Sequence, residues 1–393
     1  MEKKTILQIV PSLISGGIER GVVEINNYLV KNNFNSIVLS AGGKLVYQIE
    51  QNGGKHITLD VATKNPFKIW KNIGKIKKII KENNVDIVHV RSRAPAWSAY
   101  FACKAVNCPL VSTIHGNYSI GSFPFSYFKR LYNSSMVRAD WIICVSNFIK
   151  EYAFENYKLF RNKFAESKTK VIHRGVDVNL FDPNNVSQER IVSLINKLQV
   201  PEDRLIILLP GRLTEWKGQL YFIDVLAKVK NRNFICIILG DSKGHEAYRD
   251  RLKEKIIKMK LDGIVRLENN ISDMPAGYMV SDIVVSSSIR GEAFGRVIPE
   301  AQAMKRMAVA TSIGGSLETV IDGETGWLVN PKDKDKFAEI IDMLLEMPTE
   351  ERMRRGEQAR EHIVKNYTIE QMCSKTVDLY KEILENTENN KKN

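Results

Sequence analysis

The sequence has no apolar run long enough to cross a bilayer and no cysteine spacing typical of a metal site. The longest apolar runs, at residues 205–210 and 235–239, have strand length, whereas a membrane-spanning helix needs about 20 apolar residues. The five cysteines are scattered, and the closest two, Cys103 and Cys108, match no zinc motif, so we interpret the cysteines as structural. The chain starts with a predicted strand and not with the plan of a signal peptide. We therefore expect a cytoplasmic protein.

Acidic residues are scarce in the first half of the chain. The formal net charge is +13. Residues 1–180 carry 26 Lys and Arg against 12 Asp and Glu, whereas residues 181–393 carry 32 against 33. This asymmetry predicts that the first half has an anionic partner. The partner could be a membrane surface, a nucleic acid or an acidic substrate. No nucleic-acid-binding motif accompanies the charge, so we do not predict a nucleic acid partner.

Strand-length apolar runs alternate with amphipathic stretches from end to end, which is typical of α/β proteins with parallel sheets. A length of 393 residues favours two domains, so we predict two doubly wound, Rossmann-like domains facing across a cleft. A polar stretch at residues 177–190 is interpreted as the linker. The predicted strands are residues 5–10, 36–40, 85–90, 110–114, 141–145, 205–209, 234–239, 265–267, 283–286 and 307–311.

The densest group of candidate functional residues follows the predicted strand at residues 205–209. In Gly211-Arg-Leu-Thr-Glu-Trp-Lys-Gly218, the side chains of Arg212 and Lys217 follow the carboxyl end of a strand, where open parallel sheets bind ligands. A planar guanidinium and a compact ammonium suit a diphosphate. Basic residues in a loop are often only solvated, and the position at the strand end is what favours a binding role.

A second group follows the predicted strand at residues 283–286 and reads Glu292-Ala-Phe-Gly-Arg-Val-Ile-Pro-Glu300. Gly295 lets the backbone approach a ligand, and a helix beginning near Arg296 would direct free amides at an anion. Glu300 is suited to accept hydrogen bonds from ribose hydroxyls, and Glu292 to contact sugar hydroxyls. Two glutamates at this spacing arise by chance, but their position around a glycine turn is less common.

The first half offers two further candidate positions at strand ends. Gly16 and Gly17 join the first strand to the first helix and allow a phosphate or sugar to come close, although the dinucleotide-binding fingerprint requires a third glycine. His115 ends the strand at residues 110–114. A single histidine is more often structural, but this placement makes a ligand role an equal alternative.

In chain order, these motifs resemble those of retaining glycosyltransferases of family 4, which have the GT-B fold. The resemblance covers about residues 5–380, and the Glu-x7-Glu element is its most specific part. The segment Ser92-Arg-Ala-Pro-Ala-Trp97, together with Gly211–Gln219, most resembles family members that build bacterial lipopolysaccharide or other surface polysaccharide. The motifs that carry the resemblance are Gly16-Gly17, His115-Gly116, Gly175-Val-Asp177, Gly211-Arg212, Lys217-Gly218, Glu292 to Glu300, Gly314-Gly315 to Glu318 and Asp322-Gly to Gly326.

The resemblance implies a role for each matching residue. Arg212 and Lys217 would neutralise the donor diphosphate as it leaves, Glu300 would hold the ribose, and Glu292 would contact the transferred sugar, with His115 near the anomeric carbon. The catalytic set is then His115, Arg212, Lys217 and Glu292. The donor-binding set is Gly16, Gly17, Gly211, Arg212, Lys217, Glu292, Phe294, Gly295, Arg296 and Glu300.

Two features bear on the details of this prediction. Arg296 replaces the aliphatic residue of many family members, and its guanidinium could contact a phosphate or an acidic donor sugar. Asp333-Lys-Asp335 has the spacing of a metal clamp from another glycosyltransferase fold, but it begins a polar helix, where Asp favours capping. We therefore predict no metal and no cofactor, and assign the stabilisation of the leaving diphosphate to side chains and helix amides.

The acceptor is expected in the first half of the chain. Arg91 and Arg93 follow the strand at residues 85–90, and we group Asn117 with them as acceptor-binding residues; pairing of the arginines with neighbouring carboxylates is the alternative. The basic half also predicts an anionic membrane surface as a partner. Two segments are candidates for that contact: the aromatic stretch 117–130, and the helix at residues 67–81, whose apolar face (Ile69, Trp70, Ile73, Ile76 and Ile80) we expect to pack on the core.

The sequence thus predicts a hexosyltransferase-type enzyme peripheral to the inner face of the cytoplasmic membrane, with a nucleotide-sugar donor and a glycan or lipid-linked acceptor. A nucleotide-sugar epimerase and a catalytically inactive partner subunit remain as alternatives. The predicted organisation is an acceptor-binding domain at residues 1–180, a nucleotide-sugar-binding domain at residues 181–366, a helix at residues 367–385 that packs back on the first domain, and a disordered tail at residues 386–393.

Overall fold

The computed structural model describes residues 3–392 apart from residues 15, 64, 119–125, 158–166, 242 and 243. The chain divides into two compact units. Unit 1 consists of Met1–His173 together with Ile369–Asn393, and unit 2 is Arg174–Thr368. The chain therefore leaves unit 1 before residue 177 and returns to it at Ile369.

Unit 1 is built around a seven-stranded sheet with the strand order β3-β2-β1-β4-β5-β6-β7. All of its strand pairs are parallel. Its strands are β1 (Thr5–Ile9), β2 (Asn35–Ser40), β3 (Lys55–Thr58), β4 (Ile87–Val90), β5 (Leu110–Ile114), β6 (Trp141–Cys144) and β7 (Thr169–Val171). Its helices are α1 (Gly17–Lys31), α2 (Val46–Gln51), α3 (Pro66–Glu82), α4 (Arg93–Val106), α5 (Ser126–Asn133), α6 (Asn147–Tyr157) and α15 (Ile369–Lys392).

One face of this sheet is covered by α1 and by α15. Every second residue of the central strands points to that face, because side chains alternate along a strand. Ile6, Ile87 and Val111 of β1, β4 and β5 form one apolar cluster with Leu29 of α1 and Val377 of α15. The last helix, α15, therefore packs against the sheet of unit 1, and this packing buries the apolar side of the helix.

The predicted disordered tail at residues 386–393 is wrong for residues 386–392, which continue α15. Their polar composition suggested disorder, but the segment contains no Pro or Gly to end the helix. It also contacts the start of the central strand β1, since Lys4 Nζ lies 3.0 Å from Glu388 Oε1.

Unit 2 contains a six-stranded parallel sheet with the order β10-β9-β8-β11-β12-β13. Its strands are β8 (Leu205–Pro210), β9 (Phe234–Leu239), β10 (Val265–Glu268), β11 (Ile283–Ser286), β12 (Met307–Thr311) and β13 (Trp327–Val329). Its helices are α7 (Gln188–Leu198), α8 (Gln219–Lys228), α9 (Glu246–Lys258), α10 (Met274–Val280), α11 (Val297–Ala303), α12 (Ser316–Thr319), α13 (Lys334–Glu346) and α14 (Thr349–Asn366).

The polar stretch interpreted as a linker, residues 177–190, belongs to unit 2. Arg360 of α14 holds it in place, because its guanidinium donates to the Phe181 carbonyl at 2.8 Å and to Asp182 Oδ2 at 2.8 Å. The stretch ends in α7, which begins at Gln188. Turn-forming residues such as Asp and Asn did mark an interruption in the alternation of strands and helices, but the stretch is packed on unit 2 and is not a linker between the units.

The strand orders place the candidate site residues. In unit 1 the order reverses between β1 and β4, and in unit 2 it reverses between β8 and β11. Crevices at such reversals, outside the carboxyl ends of the strands, are where open α/β sheets bind ligands. Gly16 and Arg91 follow β1 and β4, while Arg212 and Glu292 follow β8 and β11.

Across the described residues, no helix combines the length and the apolar character needed to cross a membrane.

Candidate active site

Two loops of unit 2 are joined at the carboxyl ends of β8 and β11. The hydroxyl of Ser287 donates to the carbonyl oxygens of Lys217 at 3.1 Å and Gly218 at 3.2 Å. Gly218 has a φ of +73°, and a Cβ there would overlap the Ser287 carbonyl oxygen, so only glycine fits. This link fixes the backbone that carries Lys217.

Lys217 and Glu292 form an ion pair at this junction. Lys217 Nζ lies 2.8 Å from Glu292 Oε2, and the two side chains are only 14% and 16% exposed. The other carboxylate oxygen accepts hydrogen bonds from Ser288 at 2.5 Å and Ser286 at 3.3 Å. Burial raises the pKa of Glu292, but Lys217 and the two hydroxyls outweigh burial, and the net pKa is lowered. Glu292 is therefore held as a carboxylate.

Arg212 lies in the same loop after β8 as Lys217 and differs from the ion pair in exposure. Its side chain is exposed, and the described residues offer its guanidinium no hydrogen-bond or ion-pair partner. Its backbone is fixed, because Gln219 Nε2 donates to the Arg212 carbonyl at 2.9 Å. A guanidinium on a fixed backbone with free donors is suited to bind a phosphate in two-pronged geometry.

Arg296 and Glu300 form the second ion pair of the site. Arg296 Nη2 lies 2.5 Å from Glu300 Oε1, one helical turn along α11. Tyr278, fully buried, donates its hydroxyl to Glu300 Oε2 at 3.0 Å. Burial and the neighbouring Glu300 carboxylate raise the pKa of Tyr278, so the phenol stays protonated and remains a donor. Arg296 was expected to face a phosphate or an acidic sugar, and here it contacts the carboxylate predicted to hold the ribose.

The loop between Glu292 and α11 is held against the loop that follows β12. The Gly315 amide donates to the Glu292 carbonyl at 2.8 Å, and a Cβ on Gly314 would overlap the Glu292 backbone. Gly295 has a φ of +75°, which favours glycine at this turn. The Phe294 side chain is buried, so this residue can face a ligand only through its backbone.

In unit 1, Gly16 precedes α1, and the Glu19 carboxylate occupies the space that a Cβ on Gly16 would need. His115 follows β5, and its backbone hydrogen-bonds the Tyr118 hydroxyl. Burial raises the pKa of Tyr118 to about 12. Gly17 is the first residue of α1, and Asn117 is exposed beyond His115.

The assignment of Arg91 to the acceptor is wrong, because its side chain points into unit 1. Arg91 is 3% exposed, and its Nε donates to Gln8 Oε1 at 3.0 Å. It also hydrogen-bonds the hydroxyl of Tyr380 in α15. Burial lowers the pKa of Arg91 and the Glu24 carboxylate acts to raise it, so the alternative of interaction with a neighbouring carboxylate stays open. A guanidinium so enclosed is not exposed to an acceptor.

Arg91 belongs to a buried polar network that sequence reasoning missed. His89, completely buried, lies between the Tyr380 hydroxyl, 2.5 Å from its Nδ1, and the Thr113 hydroxyl, 2.6 Å from its Nε2. Burial, with the positive charges of Arg91 and His115, holds the pKa of His89 well below its usual range. Since Arg91 can only donate to Tyr380, the simplest arrangement has Tyr380 donating to a neutral His89.

Arg93 remains accessible to an acceptor. It is half-buried, donates from Nη1 to Asn133 Oδ1 at 2.8 Å, and its guanidinium carbon lies 4.2 Å from the centre of the Tyr118 ring. Because the ring occupies one face of the guanidinium, other donors of the fork stay available.

The two aspartates of the Asp-x-Asp sequence, Asp333 and Asp335, have separate structural roles. Asp333 caps α13, accepting from the Lys336 amide at 2.8 Å, which confirms the prediction of a helix cap. Asp335 pairs with Lys228 at 2.6 Å. The carboxylates are therefore used in local contacts.

The residues missed in unit 2 are Tyr278, Ser286 and Ser288, which orient the two glutamates. A run of serines directly after an apolar strand is a usable signal, since hydroxyls at that position face the ligand edge of the sheet. The sequence carried no such signal for Tyr278, because a tyrosine in a short apolar helix looks the same as a tyrosine of the hydrophobic core.

Known protein families match both units. A family model described as "Glycosyltransferase Family 4" matches residues 15–180, and one described as "Glycosyl transferases group 1" matches residues 192–362. The crystal structure of a glycosyltransferase from Rickettsia africae ESF-5 is 42% identical to this chain, covers 98% of this chain and 100% of that one, and superposes with a TM-score of 0.88.

More distant proteins share the same fold. Anabaena Alr3699/HepE, whose crystal structure is in complex with UDP and glucose, is 22% identical, with 96% of this chain and 100% of that chain covered and a TM-score of 0.79. Spore coat protein SA of Bacillus subtilis (strain 168) is 24% identical over 314 residues, which are 77% of this chain and 79% of that protein. The two parallel-sheet, Rossmann-like units thus have the GT-B fold that the sequence predicted.

Proposed function

Because this chain belongs to the family 4 glycosyltransferases, we propose that it moves a sugar from a nucleoside diphosphate donor to a glycan or lipid-linked acceptor with retention of anomeric configuration. The observation that carries the proposal is the pairing in unit 2. Glu292 and Glu300 are each held by a basic side chain beside the reversal in strand order, and Arg212 is exposed in the loop that also carries Lys217. The fold shared with HepE, which binds UDP and glucose, supports the same class of donor.

In this proposal unit 2 binds the donor. Arg212 contacts the diphosphate. The Lys217 ammonium, which lies 2.8 Å from Glu292, also stabilises the negative charge that develops on the leaving phosphate. Glu300, oriented by Arg296 and Tyr278, accepts hydrogen bonds from the ribose. Glu292 accepts from hydroxyls of the transferred sugar.

The reaction proposed is a same-face substitution at the anomeric carbon. The bond from that carbon to the diphosphate oxygen breaks, the acceptor hydroxyl oxygen forms the new bond on the same face, and the acceptor proton goes to the leaving phosphate. This route needs no protein side chain as base. We propose that unit 1 presents the acceptor, with Arg93 and Asn117 as contacts, His115 near the anomeric carbon, and Gly16 and Gly17 near the distal phosphate.

The acceptor is proposed to be part of a lipopolysaccharide or another surface polysaccharide, made at the inner face of the cytoplasmic membrane. The segments 92–97 and 211–219 resemble enzymes of that kind, and one relative is named a spore coat protein. The basic excess of residues 1–180 fits an acceptor at an anionic surface.

The first test is binding of the donor in the absence of acceptor. A thermal-shift screen against nucleoside diphosphates and nucleotide-sugars should find stabilisation, since a ligand at 100 times its dissociation constant adds about 2.7 kcal/mol. The ligand found is then incubated alone with the enzyme. Isomerisation of the donor would replace the proposal with an epimerase, and binding without transfer to any acceptor or to water would indicate an inactive partner subunit.

The second test concerns the source of charge stabilisation. If Arg212 and Lys217 supply it, slow hydrolysis of the donor, or transfer, should survive excess EDTA. Complete loss of the activity on chelation, with recovery on addition of Mg²⁺ or Mn²⁺, would contradict this assignment.

A further inference from the structure

Helix α3 of unit 1 has an exposed face that the sequence did not predict. Trp70 was expected to pack on the core, but it is 76% exposed, and Phe67 is 83% exposed. The buried residues of α3 are Asn72, Ile76 and Ile80, and the predicted core residues Ile69 and Ile73 are half-buried. Two large aromatic side chains in water at one end of a helix leave substantial apolar area uncovered.

The same face of α3 carries lysines. Positions three and four apart lie together on a helix, and this rule groups Lys71 and Lys78 with Phe67 and Trp70. The helix has six lysines, and Glu82 is its single acidic residue. Glu82 pairs only loosely with Lys78, at 3.6 Å between two exposed side chains, so the face keeps a strong positive charge.

Neighbouring helices extend this surface. Ser98 of α4 donates to the Ile69 carbonyl of α3 at 3.1 Å, and Trp97 of α4 donates to the Tyr132 carbonyl of α5 at 3.1 Å. Both neighbours also expose aromatics: Phe101 of α4 is 46% exposed, and Phe128 of α5 is 69% exposed. Tyr118, expected in the aromatic surface 117–130, instead packs under Arg93, and Phe123 and Phe125 of that stretch lie outside the described residues.

We propose that Phe67 and Trp70 of α3, with Lys71 and Lys78 on the same face, form a docking surface for an anionic lipid bilayer. Aromatic rings suit the boundary between headgroups and acyl chains, and lysines are attracted to anionic headgroups. Exposed rings beside lysines on a single helix are the pattern of helices that lie on an anionic bilayer. The inference rests on the proposed function in that it names the surface at which the acceptor would be met, and it gives α3 precedence over the segment 117–130.

The experiment is sedimentation of the full chain with vesicles of phosphatidylcholine alone and of phosphatidylcholine with phosphatidylglycerol. Binding should require the anionic lipid and weaken as salt rises from 0.05 to 0.5 M, because exposed charges are screened within about 10 Å at 0.1 M. One lysine near an anionic surface contributes roughly fivefold in partitioning, so Lys71→Glu with Lys78→Glu should lower it at least about 25-fold. Phe67→Ser with Trp70→Ser should also lower it.

Matched control variants separate this face from general charge and apolarity. Tyr47→Ser removes an aromatic side chain of α2 that is 68% exposed, and Lys253→Glu with Lys258→Glu reverses two exposed lysines of α9 in unit 2. The controls should bind vesicles like the natural chain. In addition, the tryptophan emission should shift to shorter wavelength on anionic vesicles, and Trp70→Phe should abolish most of that shift.

Four outcomes would overturn the proposal: equal binding to neutral and anionic vesicles, equal losses in α3 variants and controls, a blue shift that persists in Trp70→Phe, or concentration-dependent self-association that the α3 variants remove. The last would identify a second copy as the occupant. Donor hydrolysis without vesicles separates the two proposals. If the α3 variants hydrolyse the donor normally and yet bind vesicles normally, only the docking surface fails; if no variant uses the donor, the proposed function fails.

Discussion

The two units hold their buried charges in different ways at corresponding places in their sheets. In unit 2 each basic group of the two ion pairs faces a carboxylate, with Lys217 on Glu292 and Arg296 on Glu300. In unit 1 the buried Arg91 donates to an amide oxygen and a phenol hydroxyl. One arrangement consists of exchangeable ion pairs, and the other is a closed set of hydrogen bonds.

Because of this difference, the charged groups of unit 2 can bind a ligand, whereas the buried Arg91 of unit 1 stabilises the fold. An anionic ligand in unit 2 can compete with Glu292 for Lys217, because both groups keep some exposure. Nothing comparable can reach Arg91, which is enclosed by β1, β4 and α15. Within each of the two ion pairs the positive and negative charges cancel. The exposed Arg212 therefore provides the excess positive charge among these residues.

The largest effect is expected from removing one member of the buried pair. Lys217→Ala leaves the Glu292 carboxylate unpaired, which costs about 3–5 kcal/mol for a fully buried pair and somewhat less here, since both side chains are partly exposed. Turnover should also fall by about 10²–10³. The added loss of stability should grow with pH above the pKa of Glu292, where the orphaned carboxylate is charged. Denaturant titration and steady-state kinetics measure the two effects.

The double variant Lys217→Met with Glu292→Gln distinguishes the two roles. Replacing both charges should restore most of the stability, because no unpaired charge remains, whereas turnover should stay low. Recovery of turnover together with stability would show that Lys217 only keeps the fold intact.

The next effect tests whether Arg212 acts on chemistry alone. Arg212→Ala should lower kcat by roughly 10² and leave the free energy of unfolding unchanged within about 0.5 kcal/mol, because its exposed side chain makes no contact that folding needs. Arg204→Ala, at the opposite end of β8, is the matched control and should affect neither quantity. A change confined to the donor KM in Arg212→Ala would contradict a role in the transition state.

Much of the fold was predictable from local pattern. The strands β5, β9, β11 and β12 begin and end where their apolar runs predict, because buried parallel strands are apolar on both faces. The edge strands β3 and β7 were missed. Their sequences, Lys55–Thr58 and Thr169–Val171, are short and mostly polar, since an edge strand buries less of its surface.

The site was predictable as a set of positions but not as a set of contacts. Strand-end placement and the family motifs brought Lys217, Glu292 and Glu300 together, yet no spacing indicates that Arg296 folds back onto Glu300 or that Tyr278 lies beneath it. The same limit explains Arg91. Its partner Tyr380 is distant in sequence, and only the packing of α15 turns the Arg91 side chain inward.

A smaller effect is expected at the predicted ribose contact. Glu300→Gln should raise the donor KM, because losing hydrogen bonds to a charged acceptor costs about 1.5–3 kcal/mol, roughly tenfold or more, while kcat changes little since the ribose is unaltered during transfer. Tyr278→Phe should act in the same direction but less, through the orientation of Glu300 alone. Abolished turnover in Glu300→Gln, beside a pure KM effect in Lys217→Ala, would reverse the two assignments.

The smallest effect concerns the buried network of unit 1 and appears as a pH dependence of stability. The pKa of His89 is lowered in the folded chain by burial and by Arg91 and His115, whereas in the unfolded chain it should be about 6.5. The unfolded state therefore binds more protons below that pH, so the contribution of His89 is fully present above about pH 6.5 and is lost as the pH falls, with a slope of at most about 1.4 kcal/mol per pH unit.

His89→Gln should flatten part of this slope, because glutamine keeps a donor and an acceptor but does not titrate. Its matched control is His245→Gln, exposed in unit 2, which should leave the slope as it is. Tyr380→Phe removes the hydroxyl that joins Arg91 to His89 and should cost about 1–3 kcal/mol at neutral pH, with kcat of the remaining folded enzyme unchanged. Denaturant titrations between pH 5 and 8 measure the slopes. If His89→Gln and the natural chain lost stability in parallel as the pH fell, His89 would not be the group that stays neutral, and the assignment of Tyr380 as donor to a neutral His89 would be wrong.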